Sequence, residues 1–303
     1  MTRLARATAL VDEYLLIWVL AAVAAGFFVP SLAALAPLTL PLLAVMVGSV
    51  SLTLTPAAFR AVDRRALAVT LLVQTGMAGL AYALALALGV GPALTAGFVV
   101  LGAVTPELVT PTMTALSGGD TALATVVLVT VGVASLALVP GFVRLFVGDA
   151  GVDPTRIVET LAVAVVGPMA AAVAARARFP ERVGRHDDRY PGVSALAVVA
   201  VIGIVTAANA GVVRDNAGLL APVAAGAVAL NLGGYAAGYA AGRPFDRATR
   251  IAAILSVGMR DFAVAAALVV AAGFPPLASL PAVAFGVVEM VTSAGLARWF
   301  AGR

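Results

Sequence analysis

Apolar residues fill this chain in long blocks, and short clusters of arginine, acid, proline and glycine separate them. A helix that crosses a bilayer needs about 20 consecutive, mostly apolar residues. On that measure the blocks predict ten spans, at 13–29, 38–56, 66–90, 93–118, 120–147, 155–176, 193–212, 218–241, 248–273 and 278–300. The expected fold class is an all-α polytopic membrane protein. The first block, Tyr14 to Val29, follows Arg3 and Arg6 and superficially has the form of a secretory leader. Asp12 and Glu13 abut it and no small-residue cleavage site follows, so a retained first span is expected.

An even number of spans puts both termini on one side, and the loop charges say which side. Every one of the 19 basic residues is arginine. Fifteen lie in the termini and the even-numbered loops: Arg3, Arg6, Arg60, Arg64, Arg65, Arg176, Arg178, Arg182, Arg185, Arg189, Arg243, Arg247, Arg250, Arg298 and Arg303. Three lie opposite, Arg144, Arg156 and Arg214, and Arg260 falls inside a span. Cytoplasmic loops are the arginine-rich ones. The expectation is a multi-pass protein of the plasma membrane with both termini cytoplasmic.

The longest polar segment, "RARFPERVGRHDDRYPG" at 176–192, reads as a cytoplasmic linker dividing the chain into five spans and five. The first repeat then occupies 1–175 and the remaining spans of the second occupy 193–303, with spans 6–10 beginning near 155. An odd number of spans per half inserts the second half with opposite orientation. This is the inverted-repeat plan of many secondary transporters, whose binding site lies near the bilayer midplane. A short echo agrees with it: "VTPEL" at 104–108 aligns with "VGMRD" at 257–261, setting Glu107 opposite Arg260 at an offset of 153.

Composition narrows the function classes. Hydrophobic residues make up 62% and charged residues 11%, against about 25% charged in soluble domains, and the mean hydropathy is +1.07. The pI near 10.1 is therefore a loop effect and no sign of nucleic-acid binding. The chain has no cysteine and one histidine, His186, in the polar linker. No metal site and no cofactor are expected, and the partners are a small-molecule substrate and membrane lipid.

The candidate chemistry lies in the few polar groups within the spans. Span 4 reads "GAVTPELVTPTMTALSGGD", with Pro106 and Pro111 bracketing Glu107. Each proline deletes a backbone donor and clashes with the preceding turn, so the helix is expected to kink or unwind between them. Thr105, Thr110, Thr112 and Thr114 add hydroxyls there; a plain proline kink with threonines bonding back to the helix is the alternative. Span 9 carries Arg260 beside Asp261, each costing about 2.5–3.5 kcal/mol at a span centre. A polar cavity or a helix-pinning ion pair could justify them, and Glu107 is the expected partner of Arg260, leaving Asp261 toward the cavity. Glu289 lies halfway along span 10 and Gln74 within span 3. Asn231, in "ALNLGGYAAGYAAG", sits among glycines at four-residue spacing, which reads as close helix packing.

Four stretches together, "VGSVSLTLTPAAF", "TPTMTALSGGDTALA", "LNLGGYAAGY" and "SVGMRDFAVAAALV", resemble the bile acid:sodium symporter family, part of the bile acid, arsenite and riboflavin transporter superfamily. The resemblance implies spans 1, 2, 6 and 7 as a panel and spans 3–5 and 8–10 as a core. It also implies broken, crossing spans 4 and 9, and a substrate crevice between panel and core. Sodium-coupled members resemble one another in a Ser-Asn pair in span 4, a hydroxyl pair in span 5 and a Glu-Val-Gly-Met-Gln-Asn run in span 9. Here those positions read Thr110-Pro111, Ala124 and Leu128, and Ser256 to Asp261, with Gln74 retained.

The resemblance thus implies a transporter whose two sodium sites are dismantled. Asp261, Glu289, Thr110 and Thr112 are the expected substrate-binding residues, and Glu107, Arg260, Gln74 and Ser256 hold the crossover. The expected function is secondary transport of a small organic anion or metabolite by alternating access, with Arg260 in place of a cation and proton coupling open to Asp261 or Glu289. An arsenite or metalloid exporter is the alternative, although the cysteine that such exporters carry in span 4 is missing. A membrane enzyme is a further one, without an acidic metal-binding pair or a nucleophile beside a base to support it.

Overall fold

The computed structural model describes residues 15–54, 58–148, 152–215 and 217–302. Arg3, Arg6, Asp12, Glu13 and Arg303 lie outside them. Among the described residues there is no strand, and eight helices are long and apolar enough to cross a membrane. Two shorter apolar helices, α1 (Leu15–Phe28) and α4 (Pro92–Ala103), accompany them. Between these lie α2 (Thr39–Ser51) and α3 (Arg64–Ala87). After α4 come α5 (Thr110–Leu116), α6 (Thr121–Phe146), α7 (Pro154–Arg178), α8 (Tyr190–Asp215) and α9 (Leu220–Gly242). The chain ends with α10 (Arg247–Gly258), α11 (Phe262–Ala271) and α12 (Leu280–Ala301).

Proline places several of the boundaries. The second span starts earlier than the hydropathy blocks suggest, because Pro30 opens a 3-10 turn, Pro30–Leu38, that runs straight into α2. Pro111 lies in the first turn of α5, where its missing N–H would have no helical partner anyway. In α7 a π turn at Ala162–Val166 immediately precedes Gly167 and Pro168. A wider turn there absorbs the clash between a proline ring and the carbonyl four residues back.

Aspartate starts many of the helices. Asp63, Asp120, Asp153 and Asp246 each accept backbone N–H groups of the helix that follows, at α3, α6, α7 and α10. Side-chain caps of this kind satisfy donors that have no partner inside the helix. At Asp246 the Thr249 N–H, then its hydroxyl, hold the carboxyl below the usual carboxylate range. The cap therefore persists into mild acid and is lost as the pH falls through that lowered value.

The helices sort by contact into two groups. α1, α2, α7 and α8 pack on one another, while α3, α4, α6 and α9 to α12 pack together around α10 and α11. The Arg247–Ala271 stretch is the most enclosed of the spans, with 94% of its most apolar 18-residue window buried. Loop contacts define the two ends of the bundle. Arg65 lies over the Phe245 ring at 5.9 Å, the Asp120 N–H donates to Ala248 O at 3.0 Å, and Arg247 donates to Phe300 O at 2.6 Å. At the opposite end Arg214 donates to Phe27 O, and Leu94, Val223 and Leu280 cluster.

The polar segment 176–192 is partly helical. α7 runs on to Arg178, a short helix Pro180–Gly184 follows, and α8 starts at Tyr190. Arg176 and Asp187 pair across it at 2.5 Å, and His186 Nδ1 lies 3.3 Å from Arg182 O. This segment follows the sixth apolar helix in chain order, so it does not separate five helices from five. Five apolar helices precede the loop before Pro154 among the described residues.

Candidate functional site

The two breaks lie against each other. α4 stops at Ala103, Val104 is extended (φ −69°, ψ 174°), and helix resumes only at Thr110. α10 stops at Gly258, Met259 is extended (φ −87°, ψ 135°), and α11 begins at Phe262. The Asp261 N–H donates to Thr105 O at 3.0 Å, tying one break to the other. Span 4 was expected to unwind from its prolines. Span 9 has no proline at its break; tertiary hydrogen bonds take the place of the helical ones it gives up.

Arg260 is the centre of that exchange. Its Nη1 donates to Gly102 O at 3.0 Å and Val104 O at 3.3 Å, and its Nη2 to Gln74 O on α3 at 3.4 Å. These include carbonyls at the end of α4, which have no helical partner and carry the negative end of the helix dipole. A guanidinium suits them because its donors are held in a planar fork. The main-chain N–H of Arg260 donates to Glu289 Oε2 at 3.1 Å, drawing α12 to the same point.

The carboxylates take the opposite pole. Asp261 Oδ1 accepts the Val264 N–H at 2.8 Å and so caps α11, and the Glu107 carboxyl lies beside the Leu108 and Phe262 N–H groups. This corrects the expected pairing of Glu107 with Arg260. Among the described residues the sole ion pair within 4.0 Å is Arg176 with Asp187. Residues equivalent by the offset of 153 need not touch. Each charge here meets a helix end of opposite partial charge: Arg260 the C-terminus of α4, Glu107 and Asp261 the N-terminus of α11.

Not every candidate joins this group. Thr110 is buried and its hydroxyl lies 3.9 Å from Met259 Sδ, whereas Thr112 stands exposed on α5. Gln74 contributes its backbone carbonyl, while its side-chain amide has no protein partner. Ser256 Oγ, Thr105 Oγ1, Glu107 Oε2, Asp261 Oδ2 and Arg260 Nε are likewise buried without one. Buried polar atoms left unpaired are costly, and the crossover concentrates them. No group of three His, Cys, Asp or Glu side chains among the described residues is placed to hold a metal ion.

A second layer escaped the sequence reading. Asn231 Nδ2 donates to Gly258 O at 3.2 Å, and the Thr292 hydroxyl lies 2.8 Å from Asn231 Oδ1 and 3.3 Å from the Tyr235 hydroxyl. The signal was present in the spacing, since Thr292 is three residues after Glu289 and shares its helix face. The glycines beside Asn231 do pack closely: a Cβ on Gly234 would lie 2.8 Å from Gly258 Cα, and one on Gly238 2.5 Å from Ala253 O.

The model of the sodium bile acid symporter family matches residues 40–216, more than half of the chain. The chain belongs to that family. It is also 26% identical over 292 residues to a Bacillus subtilis (strain 168) protein described as the uncharacterized sodium-dependent transporter YocS, covering 94% of this chain and 89% of that one. Membership of the symporter family makes the protein a membrane transporter and not an enzyme.

Proposed function

We propose that this symporter-family member moves a small organic anion or metabolite by alternating access, with ten spans in two inverted sets of five and both termini cytoplasmic. We further propose that it runs without the sodium ions for which its family is named. The observation that carries the second part is the seat of Arg260, whose guanidinium lies among the Gly102, Val104 and Gln74 carbonyl oxygens. Oxygens at an unwound helix end, as Gly102 O and Val104 O are, are what a coupling sodium ion would use. A sodium ion about 4 Å from a guanidinium would meet a repulsion of about 4 kcal/mol at an effective dielectric constant of 20. The donor set therefore does not suit sodium. The name of the Bacillus relative supports the other reading, sodium-dependent transport.

The deciding measurement starts with a thermal-shift screen of carboxylates, sulfated sterols and oxyanions to find a substrate. Its uptake into proteoliposomes is then compared in sodium and in sodium-free buffer at equal ionic strength. Equal rates are expected, and strict sodium dependence would defeat the proposal.

In the same reading Asp261 and Glu289 face the substrate or a coupling proton. Asp261→Asn and Glu289→Gln isolate the charge, because asparagine still caps a helix and a glutamine oxygen still accepts the Arg260 N–H. Both variants should fold, with melting temperatures close to the parent, and should transport more slowly or with a displaced pH optimum. Normal uptake by both across the accessible pH range would reassign these carboxylates to helix capping alone.

A further inference from the structure

Away from the crossover, a cavity of about 510 Å³ opens between the ends of α9, α10 and α12. Its walls are aromatic and aliphatic, with Tyr235, Tyr239, Ile254 and Leu296 among them, and Arg247 and Arg250 line it as well. It occupies the last two turns of α9, a depth of about 10 Å from the helix end at 1.5 Å per residue. The arginines lie at the bundle end and the apolar walls lie deeper.

Both guanidinium groups are held in place. Arg247 Nη2 donates to Phe300 O at 2.6 Å, and Arg250 donates to Gly242 O at 3.4 Å and Phe245 O at 3.1 Å. A guanidinium has five N–H donors, so each keeps donors to spare. Arg243 and Arg298 stand exposed beside them, at the C-cap of α9 and in the last turn of α12. None of these four arginines has a carboxylate within 4.0 Å among the described residues. The adjacent acid, Asp246, is engaged in capping α10 through the Thr249 N–H. A groove of similar size between α1, α8, α9 and α12 is lined almost wholly by apolar side chains, and the two arginines distinguish this cavity from it.

We propose that this cavity is a binding site for an anionic phospholipid of the adjoining leaflet, with its phosphate on Arg247 and Arg250 and an acyl chain along Tyr239, Ile254 and Leu296. Basic pockets between spanning helices recognise anionic headgroups, and tyrosine and tryptophan at this depth suit the boundary between headgroups and chains. Tyr235 at the cavity wall is joined through Thr292 and Asn231 to Gly258 O. The lipid would therefore brace the helix whose end forms the crossover.

The test needs no transport assay and so stands apart from the sodium proposal. Melting temperatures of the full chain in detergent are measured with added phosphatidylglycerol, phosphatidylcholine or soluble glycerol phosphate, and bound lipids are counted by native mass spectrometry. Phosphatidylglycerol should raise the midpoint by several degrees over phosphatidylcholine, and the gain should shrink with added salt. Arg250→Gln should reduce the gain. Ala236→Trp, at an exposed lining position of α9, should fill the cavity, leave every arginine in place and abolish the gain, and it decides the matter if Arg250→Gln fails to fold. The proposal is overturned if the two lipids act alike, if Ala236→Trp keeps the full gain, or if glycerol phosphate protects as well as the lipid.

Discussion

Arg260→Gln is expected to abolish transport and to lower the melting temperature on the order of 10 °C. Leaving buried carbonyl acceptors without their charged donor costs about 1–3 kcal/mol each, and each kcal/mol moves the midpoint of a mid-sized domain by about 2–4 °C. The cost has two parts. Glutamine has two N–H donors on one short amide and cannot reach Gly102 O, Val104 O and Gln74 O together, as the guanidinium does. Its substitution also removes a positive charge from the residue whose main-chain N–H holds the buried Glu289 carboxyl. Arg260→Lys should fall between, keeping the charge as a point without the fork. Glu107→Gln breaks no ion pair and should cost much less than Arg260→Gln. Melting curves and proteoliposome uptake measure all three. A stable, transporting Arg260→Gln variant would show that α3 and α4 hold the break without the guanidinium.

Gly97→Ala should be the most damaging of the small substitutions. A Cβ at Gly97 would lie 2.0 Å from Ala278 O and 2.8 Å from Ala278 C, and both are backbone atoms that no rotamer change can move. α4 would have to part from the Pro276–Ser279 turn that leads into α12, which carries Glu289. Overpacking costs about 1–3 kcal/mol when neighbours can adjust, and here they cannot, so the upper end or beyond is expected. Gly76→Ala is the control. No atom lies within 4 Å of its Cβ position, and in the interior of α3 alanine should gain about 0.5–1 kcal/mol. Equal melting temperatures for the two variants would mean that α4 and the Pro276–Ser279 turn can separate without loss.

The sequence showed the break in span 4 because its cause is local: Pro106 and Pro111 remove donors from their own helix. The break in span 9 had no such mark. "SVGMRDFAV" contains no proline, and only the family resemblance pointed to an interruption there. Asp261 illustrates the same limit. Its cost in a membrane suggested a cavity residue, and the structure adds a capping bond to Val264 that follows from the break itself. Thr112, grouped with Thr110 by its place in the motif, turns outward on a helix only Thr110–Leu116 long.

Hydrophobic length and proline position by themselves determined a polytopic helical membrane protein, the approximate limits of its helices and the break in span 4. Each of these follows from the transfer cost of a segment or from a backbone constraint within it. The partners of Arg260 were decided only by tertiary structure. Its carbonyl acceptors lie 156, 158 and 186 residues away along the chain, and what brings them within reach is the meeting of the two breaks against α3. A charge in that setting is satisfied by the nearest opposite pole, and for Arg260 that pole is the C-terminus of α4, where the sequence had offered Glu107.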